Sequence, residues 1–191
     1  YGKCSLFLVM YEEVSGIVQG GVVRFPLSFE SGIMRGRFSD ADGQLYLCGL
    51  KGWQTSAAQE ADLHRVRYTG KPVHMPKSLT VLADGIRIGF TGQVDPSLAG
   101  DAANYAAEQW NYQWTSAYGS PEFSVKDPEK KGHDKLEIQS AAVSADGKAV
   151  FLRIDGLTPV MQMKITMKIA AADGTPIKHD LYNTIHAVPG Q

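Results

Sequence analysis

The sequence predicts an all-β fold, and three features of the chain lead to that prediction. Apolar and β-branched residues alternate with polar residues over short runs, as in strands that bury one face. Asp-Gly and other glycine-containing turns separate these runs at near-regular intervals. Hydrophobic residues make up 43% and charged residues 20% of the 191 residues, which is typical of a globular protein with a packed core. We therefore expect very little helix.

The first 76 residues contain several predicted strands. Two apolar, β-branched-rich strands are expected within residues 5–27. Residues 32–38 and 44–48 flank an Asp-Gly turn and predict a hairpin, because glycine supplies the positive φ that a tight turn requires. Residues 63–68 alternate strictly and predict a half-buried strand. Glycine and proline residues then break the pattern, so we place a domain boundary near residue 76.

Residues 77–191 show a second series of short strands. Hairpin-like pairs with Asp-Gly turns are predicted over residues 79–90 and 136–154, with one helical turn after Asp95 and a loop over residues 119–134. A long strand is expected over residues 160–170, and a final strand over residues 181–188. Strands at this spacing predict an antiparallel, immunoglobulin-like β-sandwich for residues 77–191.

An aromatic stretch in this second segment has two interpretations. Trp110, Tyr112 and Trp114 alternate with polar residues and predict a strand with one aromatic face. The structural interpretation, which we favour, is that these rings fill the core, so that Trp110 or Trp114 is buried. The alternative is that these rings, with Tyr118, stack on the sugar rings of a carbohydrate ligand.

Charge and hydropathy exclude two classes of partner. The formal net charge is −1, and lysine and arginine residues are scattered along the chain, so we expect no nucleic-acid binding. No apolar run approaches the roughly 18 residues that a membrane span requires. The sequence contains no Cys-x-x-Cys-His motif, which excludes covalent haem attachment to this chain.

Metal and catalytic motifs are weak. The five histidines have no metal-ligand spacing, and Asp40 and Asp42 fit a turn better than a calcium loop. Met161, Met163 and Met167 are predicted to share one strand face in the core, where they would pack and not bind copper. We expect no metal requirement for folding and no cofactor on this chain.

A histidine–carboxylate pair and two cysteines have structural interpretations as well. His133 and Asp134 are adjacent, so they point to opposite faces of a strand, and the sequence has no Gly-x-Ser-x-Gly motif to supply a nucleophile. We therefore expect no catalytic residue in this chain. Cys4 and Cys48 are expected to be small buried thiols, with a disulfide between them as the alternative.

Several segments resemble one exported protein family. The segments GGVVRFP at residues 20–26, SGIMRGRF at 31–38 and GLKGWQ at 49–54 resemble the closing part of the β-propeller of large planctomycete-type proteins related to glucose/sorbosone dehydrogenases. Later segments resemble the sandwich that follows that propeller: WTSAYGSPE at 114–122, GHD at 132–134, PVMQM at 159–163 and YNTIH at 182–186. The resemblance follows the chain in order over nearly its whole length.

The resemblance implies a periplasmic or extracellular location and a parent oxidoreductase that uses pyrroloquinoline quinone or haem elsewhere in its sequence. Residues 1–76 would be terminal propeller strands, with Arg35, Trp53 and Gln54 on the surface at the propeller mouth. An export signal would lie upstream of this chain.

Three functional hypotheses remain. The chain is too short to hold a full propeller, so the leading hypothesis is a non-catalytic structural or docking module whose partner is the rest of the parent propeller or another subunit. The alternatives are a carbohydrate-binding sandwich and a part of an active quinone-dependent dehydrogenase.

Overall fold

The computed structural model describes residues 2–190, which form antiparallel β-structure in two compact units. The first unit holds the residues up to Leu8 together with Arg24–Pro72, and the second holds Val9–Val23 together with the residues from Val73 onward. The strands within the described residues are β1 (Phe7–Val14), β2 (Ile17–Arg24), β3 (Gly32–Phe38), β4 (Leu45–Leu50), β5 (Ala61–Val66), β6 (Pro76–Leu82), β7 (Gly85–Phe90), β8 (Tyr105–Tyr112), β9 (Glu122–Phe123), β10 (Asp134–Leu136), β11 (Ser140–Val143), β12 (Ala149–Arg153), β13 (Val160–Ala170) and β14 (Pro176–Ile185).

The division into units differs in detail from the boundary that we placed near residue 76. The units divide after Pro72, and residues 9–23 belong with the second half of the chain. The physical reason is strand pairing, because β2 pairs antiparallel with β14. Pairing between strands so far apart in the sequence leaves no local signal in the pattern of residues.

The second unit contains a large sheet with the strand order β1-β2-β14-β13-β8-β10, and β9 also pairs with β8. Strand β13 covers the predicted residues 160–170. Its side chains alternate as a half-buried strand requires, since Met163, Ile165 and Met167 are fully buried whereas Lys164 and Thr166 are half-buried. The buried face of this sheet therefore contributes to the core of the unit.

A four-stranded sheet completes the second unit, in the order β11-β12-β7-β6. The predicted hairpins are confirmed here, because β6 pairs with β7 and β11 pairs with β12. Ile86, Ile88 and Leu152 on this sheet are fully buried. A carboxylate oxygen of Glu12 in β1 accepts the backbone N–H of Val81 in β6 at 2.9 Å, which links this sheet to the large one.

The first unit contains a three-stranded antiparallel sheet in the order β3-β4-β5. The predicted hairpin is confirmed, with Gly43 in the turn at φ +65°. The predicted strand over residues 63–68 corresponds to β5. Leu47 is 2% exposed, but Phe38 and Leu63 are 73% and 69% exposed. This unit therefore has a sparse core.

Helix is confined to two short segments of the described residues. The predicted turn after Asp95 is confirmed as helix α1 (Pro96–Ala99), and the Asp95 carboxylate accepts the N–H groups of Ser97 and Leu98 as an N-cap. A 3-10 turn covers Ala102–Asn104. Neither segment is long or apolar enough to cross a membrane. The expectation of very little helix is confirmed.

Three strand predictions need correction. Residues 136–143 are not one strand, because β10 ends at Leu136 and β11 begins at Ser140. The predicted loop over residues 119–134 contains the short strand β9, which pairs with the end of β8. The aromatic strand begins earlier than predicted, at Tyr105, and ends at Tyr112.

The methionines of β13 do not share one face as predicted. Val160 pairs with Ile185 and Met163 pairs with Asn183, so β13 has one extra residue between these two pairs. Such a β-bulge shifts the alternation of side chains, and Met161 is consequently 52% exposed while Met163 is buried. The prediction that Met161 lies in the core is wrong.

The two cysteines differ in environment. Cys4 is buried, as predicted, but Cys48 in β4 is exposed, so the prediction of two buried thiols is wrong for Cys48. Both are free thiols in this structure.

Candidate functional site

Charged side chains cluster on the face of the large sheet that points away from the buried methionines. Glu108 of β8 pairs with Lys164 of β13, and 3.3 Å separate Glu108 Oε1 from Lys164 Nζ. His133, which precedes β10, lies between two carboxylates: its Nδ1 is 3.1 Å from Glu108 Oε2 and its Nε2 is 2.6 Å from Glu122 Oε2. We call Glu108, Glu122, His133 and Lys164 the histidine cluster.

The position of His133 follows from strand register. Asp134 pairs with Gln109, so His133 stands beside Trp110 on the opposite face from Asp134. The imidazole stacks on the indole with ring centroids 3.9 Å apart and an interplanar angle of 8°. The indole Nε1–H donates to the Tyr112 hydroxyl at 3.0 Å. Stacking with His133 and the hydrogen bond to Tyr112 therefore hold the Trp110 indole in position.

Trp110 is buried, as the structural interpretation of the aromatic stretch predicts, but not where that interpretation places it. Only 4% of Trp110 is exposed. Gln109 pairs with Met163 and both are buried in the core, so the next residue, Trp110, points to the other face of the sheet. His133 covers it there.

The electrostatics of the histidine cluster favour an imidazolium between two carboxylates. Partial burial acts to lower the pKa of His133, but the hydrogen bonds to Glu122 and Glu108 outweigh it, and the pKa is raised. The hydrogen bond from His133, assisted by Lys164, lowers the pKa of Glu108. Partial burial acts to lower the pKa of Lys164, yet Asp180 and Glu108 raise it. The three shifts therefore all favour the charged forms of His133, Glu108 and Lys164.

This arrangement is poorly suited to acid–base catalysis. Both ring nitrogens of His133 face carboxylates, so neither is free to take a proton from a substrate. Asp134 instead accepts hydrogen bonds from the Ser124 hydroxyl at 2.7 Å and from the backbone N–H groups of Val125 and Lys126. The described residues include no group of three or more histidine, cysteine or acidic side chains able to hold a metal ion.

An aromatic loop follows β8 on the same unit. Trp114 and Tyr118 are completely exposed, and Tyr112 at the end of β8 is 37% exposed. A cavity of about 490 Å³ is lined by Tyr112, Trp114 and Met161, together with Gln113, Thr115 and Ser120. We call Tyr112, Trp114 and Tyr118 the aromatic loop.

The chain turns away from the sheet after Tyr112, which explains why Trp114 does not share a face with Trp110. The backbone N–H of Gln113 donates to the Ser120 hydroxyl at 2.9 Å, and the Gln113 side-chain amide donates to the carbonyl of Pro128 at 2.9 Å. The strict alternation of the strand therefore ends before Trp114. The prediction that Trp110, Tyr112 and Trp114 share one face is wrong for Trp114.

The remaining predicted site residues lie in the first unit. Arg35 is exposed on β3, and Trp53 is 82% exposed beyond the end of β4. Gln54 follows with a left-handed backbone, at φ +55°. The assignment of these three residues to a ligand-binding surface remains a prediction.

Three members of the histidine cluster were not among the residues selected from the sequence. Glu108 lies two residues before Trp110, so strand alternation alone places both on one face. No comparable signal exists for the other two. Glu122 reaches the cluster through the pairing of β9 with β8, and Lys164 lies on β13, 56 residues after Glu108.

Comparison with protein-family models, with curated proteins and with solved structures finds no match to this chain.

Proposed function

We propose that the second unit is a non-catalytic, carbohydrate-binding β-sandwich and that the aromatic loop contacts the ligand. The observation that carries this proposal is the complete exposure of Trp114 and Tyr118 beside the half-exposed Tyr112. Large aromatic rings are costly to expose in water, and such groups at a surface typically mark a binding site. Flat rings pack well against the apolar faces of sugars.

The strand order supports the immunoglobulin-like part of this proposal. The order β6-β7-β12-β11 corresponds to strands A-B-E-D of an immunoglobulin constant-type domain, and β14-β13-β8 corresponds to G-F-C. In this assignment, β10 extends the second sheet beyond β8, and the β1–β2 hairpin extends it beyond β14. Loops at the ends of such sandwiches commonly carry binding residues, and the aromatic loop follows the strand that corresponds to C.

The lining of the loop cavity favours an uncharged ligand. Gln113, Thr115 and Ser120 offer amide and hydroxyl groups, and the aromatic rings and Met161 offer apolar surface. No acidic or basic residue contributes to this described lining. A neutral polysaccharide supplies the matching hydroxyl groups and apolar ring faces.

Substitution of the loop aromatics tests this proposal. Base stacking on aromatic side chains is worth about 1–3 kcal/mol per ring, and we expect sugar stacking to fall in a similar range. Trp114→Ala and Tyr118→Ala should each weaken retardation in native gels that contain neutral soluble polysaccharides by roughly fivefold or more. Trp53→Ala removes an exposed tryptophan from the other unit and is the matched control.

Two outcomes would contradict the proposal. If the unsubstituted chain migrates at the same rate in every polysaccharide gel as in a gel without polysaccharide, the aromatic loop is not a carbohydrate site. Equal loss of retardation in Trp114→Ala and Trp53→Ala would also contradict it, since the effect would then not be specific to the loop.

A second candidate function concerns the first unit, which we propose is the terminal part of a larger exported protein of the glucose/sorbosone dehydrogenase-like type. A sheet of three strands with an exposed Phe38 supports a terminal position in a larger protein, because such a sheet is marginal alone and would gain burial from further strands. Quinone or haem chemistry would then belong to the parent protein, since three strands are fewer than one four-stranded propeller blade.

Amide hydrogen exchange on the present chain tests this second candidate. A sheet that depends on missing neighbours should open readily, so we expect amides of β3, β4 and β5 to exchange at least tenfold faster than those of β7 and β13. Equal protection of the two sets would show that the first unit is stable by itself, which contradicts the candidate.

A further inference from the structure

Three arginines gather on one face of the three-stranded sheet. In the register of β3, β4 and β5, Arg37, Tyr46 and Arg65 stand directly opposite one another. Residues that are directly opposite in an antiparallel sheet share a face. Arg35 lies two residues before Arg37 in the same strand and points to the same side. All three arginines are exposed, and we call Arg35, Arg37 and Arg65 the arginine face.

The arginine face forms no ion pair with a carboxylate within residues 2–190, although Arg65 acts electrostatically on Asp42. The backbone N–H of Gln44 is the main cause that lowers the pKa of the Asp42 carboxyl, and the charge of Arg65 contributes. No Asp or Glu oxygen of the described residues lies within 4.0 Å of these guanidinium groups. Arg35 Nη1 donates only to the carbonyl of its neighbour Met34, at 2.8 Å. Asp42, at the end of the hairpin, accepts the Tyr46 hydroxyl at 2.9 Å. Most donors of the three guanidinium forks are therefore directed to solvent.

The spacing of the charges indicates a ligand with repeated anionic groups. Residues two apart in a strand are about 7 Å apart, and residues two strands apart are about 9–10 Å apart. Three guanidinium groups that extend from positions this far apart are matched better by several separate anionic groups than by one small anion. Each planar fork is suited to a single carboxylate or other oxyanion, bound through two parallel hydrogen bonds.

Apolar side chains lie on the same face. Leu63 and Cys48 stand opposite each other and opposite Arg35, and Leu50 is two residues further along β4. Leu63 is 69% exposed and Leu50 is 42% exposed. The face thus combines separated positive charges with a flat apolar surface.

We propose that the arginine face binds an acidic polysaccharide, with carboxylate or sulfate groups on the guanidinium forks and sugar rings over Leu63 and Leu50. A polysaccharide of this class repeats its charges along an extended chain and has apolar ring faces between them. This matches both the charge and the surface of the sheet. The proposal is independent of the aromatic loop, which belongs to the other unit.

Nucleic acid is the other polyanion with repeated charges, and the charge of the protein disfavours it. Nucleic-acid-binding domains typically have an isoelectric point above about 9, whereas this chain has a sequence pI near 6.6 and a formal net charge of −1. Three phosphate contacts provide little affinity at physiological salt. The exposed leucines have no role in binding a phosphate backbone.

Binding to two defined polyanions tests the proposal. The full chain is titrated at low salt with polygalacturonate, which carries carboxylates, with dextran sulfate, and with neutral dextran. We expect binding to at least one polyanion that is tighter than any binding of neutral dextran by the aromatic loop, and the stronger of the two polyanions identifies the preferred oxyanion. The triple substitution Arg35→Gln, Arg37→Gln and Arg65→Gln should weaken binding by roughly tenfold or more, because charge-assisted hydrogen bonds are lost.

Two control variants separate a specific site from net charge. A control triple variant removes three exposed positive charges from the second unit through Lys77→Gln, Arg87→Gln and Lys178→Gln. Its affinity for the polyanion should stay within about twofold of that of the unsubstituted chain. A second triple variant carries Arg35→Lys, Arg37→Lys and Arg65→Lys. It keeps the positive charges but loses the planar guanidinium groups, so it should bind with an affinity between those of the unsubstituted chain and the glutamine variant. Far-UV circular dichroism establishes that each variant is folded, and the single variant Arg37→Gln replaces any triple variant that is not.

Three results would overturn the proposal. The first is no binding to either polyanion, and the second is equal weakening by the two glutamine triples. The third is tighter binding to duplex DNA than to both polysaccharides, which would identify the face as a nucleic-acid surface.

Discussion

The two units of this chain differ in how much apolar surface they bury. Among the described residues, the first unit buries only Cys4, Leu47 and Ala57 as apolar side chains, whereas the second buries the apolar faces of both its sheets. Three strands cannot cover their own faces, but two sheets can cover each other. The comparison indicates that the second unit supplies most of the stability and that the first unit presents surface.

Exposed residues follow the same division. Phe38, Leu63 and the arginine face are exposed on a sheet with little core. In the second unit, Trp114 and Tyr118 of the aromatic loop are completely exposed, beyond the end of a strand that is otherwise well buried. The β1–β2 hairpin of this unit also exposes Val9, Tyr11 and Val18. The first unit therefore exposes apolar and charged side chains on a sheet with little core, whereas the loop exposes its rings on a well-packed scaffold.

The largest expected effect compares one tryptophan from each unit. Trp110→Ala should lower the free energy of unfolding by about 3–5 kcal/mol, because a buried ring is lost and a cavity remains. Trp53→Ala should lower it by less than about 1 kcal/mol, since Trp53 is 82% exposed. Denaturant titration followed by far-UV circular dichroism measures both values. Equal losses would contradict the contrast between the units.

A glycine in the first unit provides a smaller and more local perturbation. A Cβ added at Gly49 would lie 1.3 Å from the carbonyl oxygen of Gly32, so Gly49→Ala must push β3 and β4 apart. We expect a cost of about 1–3 kcal/mol, confined to the first unit. Amide exchange should accelerate in β3 and β4 and remain unchanged in β12.

The neighbouring substitution Cys48→Ala is the control, because this side chain is exposed and its removal should not affect exchange. If Gly49→Ala accelerates exchange equally in both units, the units do not open independently, and the comparison between them would need revision.

The smallest expected effect is the pH dependence that the histidine cluster gives to the second unit. The pKa of His133 is raised in the folded state, so its contribution to stability is fully present below about pH 6.5 and is lost as pH rises through the folded pKa. The pKa of Glu108 is lowered, so its contribution is present above about pH 4.5 and is lost as pH falls further. The cluster should stabilise the protein most between these limits.

Melting temperatures between pH 4 and pH 9 test this expectation. The unsubstituted chain should lose part of its stability as the pH rises above about 6.5, and His133→Gln should remove that loss. His186→Gln replaces an exposed histidine, and this variant should still lose stability as the pH rises. If the melting temperatures of the unsubstituted chain and of His133→Gln depend on pH in the same way, the ion pairs at His133 contribute nothing measurable to stability.

Local patterns were sufficient to predict individual strands but not their neighbours. The hairpin of β3 and β4 and the long strand β13 are visible in the sequence, because alternation and turn chemistry act over a few residues. The β-bulge that exposes Met161 is not visible, since it depends on how β13 pairs with β14. The turn of Gln113 toward Ser120, which exposes Trp114, is equally a matter of tertiary hydrogen bonding.

The candidate sites divide in the same way. The aromatic residues and Arg35 were found from residue type and spacing. The histidine cluster, by contrast, requires β13 to pair with the distant strand β8, and the arginine face requires the register of three consecutive strands. Arg37 and Arg65 belong to strands separated by β4, and their common face follows only from the register of both pairings.

The sequence by itself determined that this chain is an antiparallel β protein with very little helix, because the period of its apolar residues and its Asp-Gly turns are local properties. Only the tertiary structure decided which residues share a face. It moved residues 9–23 into the second unit, covered Trp110 with His133, and placed Arg65 on the same face as Arg35 and Arg37. The physical reason is that strand pairing forms through backbone hydrogen bonds, which are common to all residues, whereas register depends on contacts between distant segments.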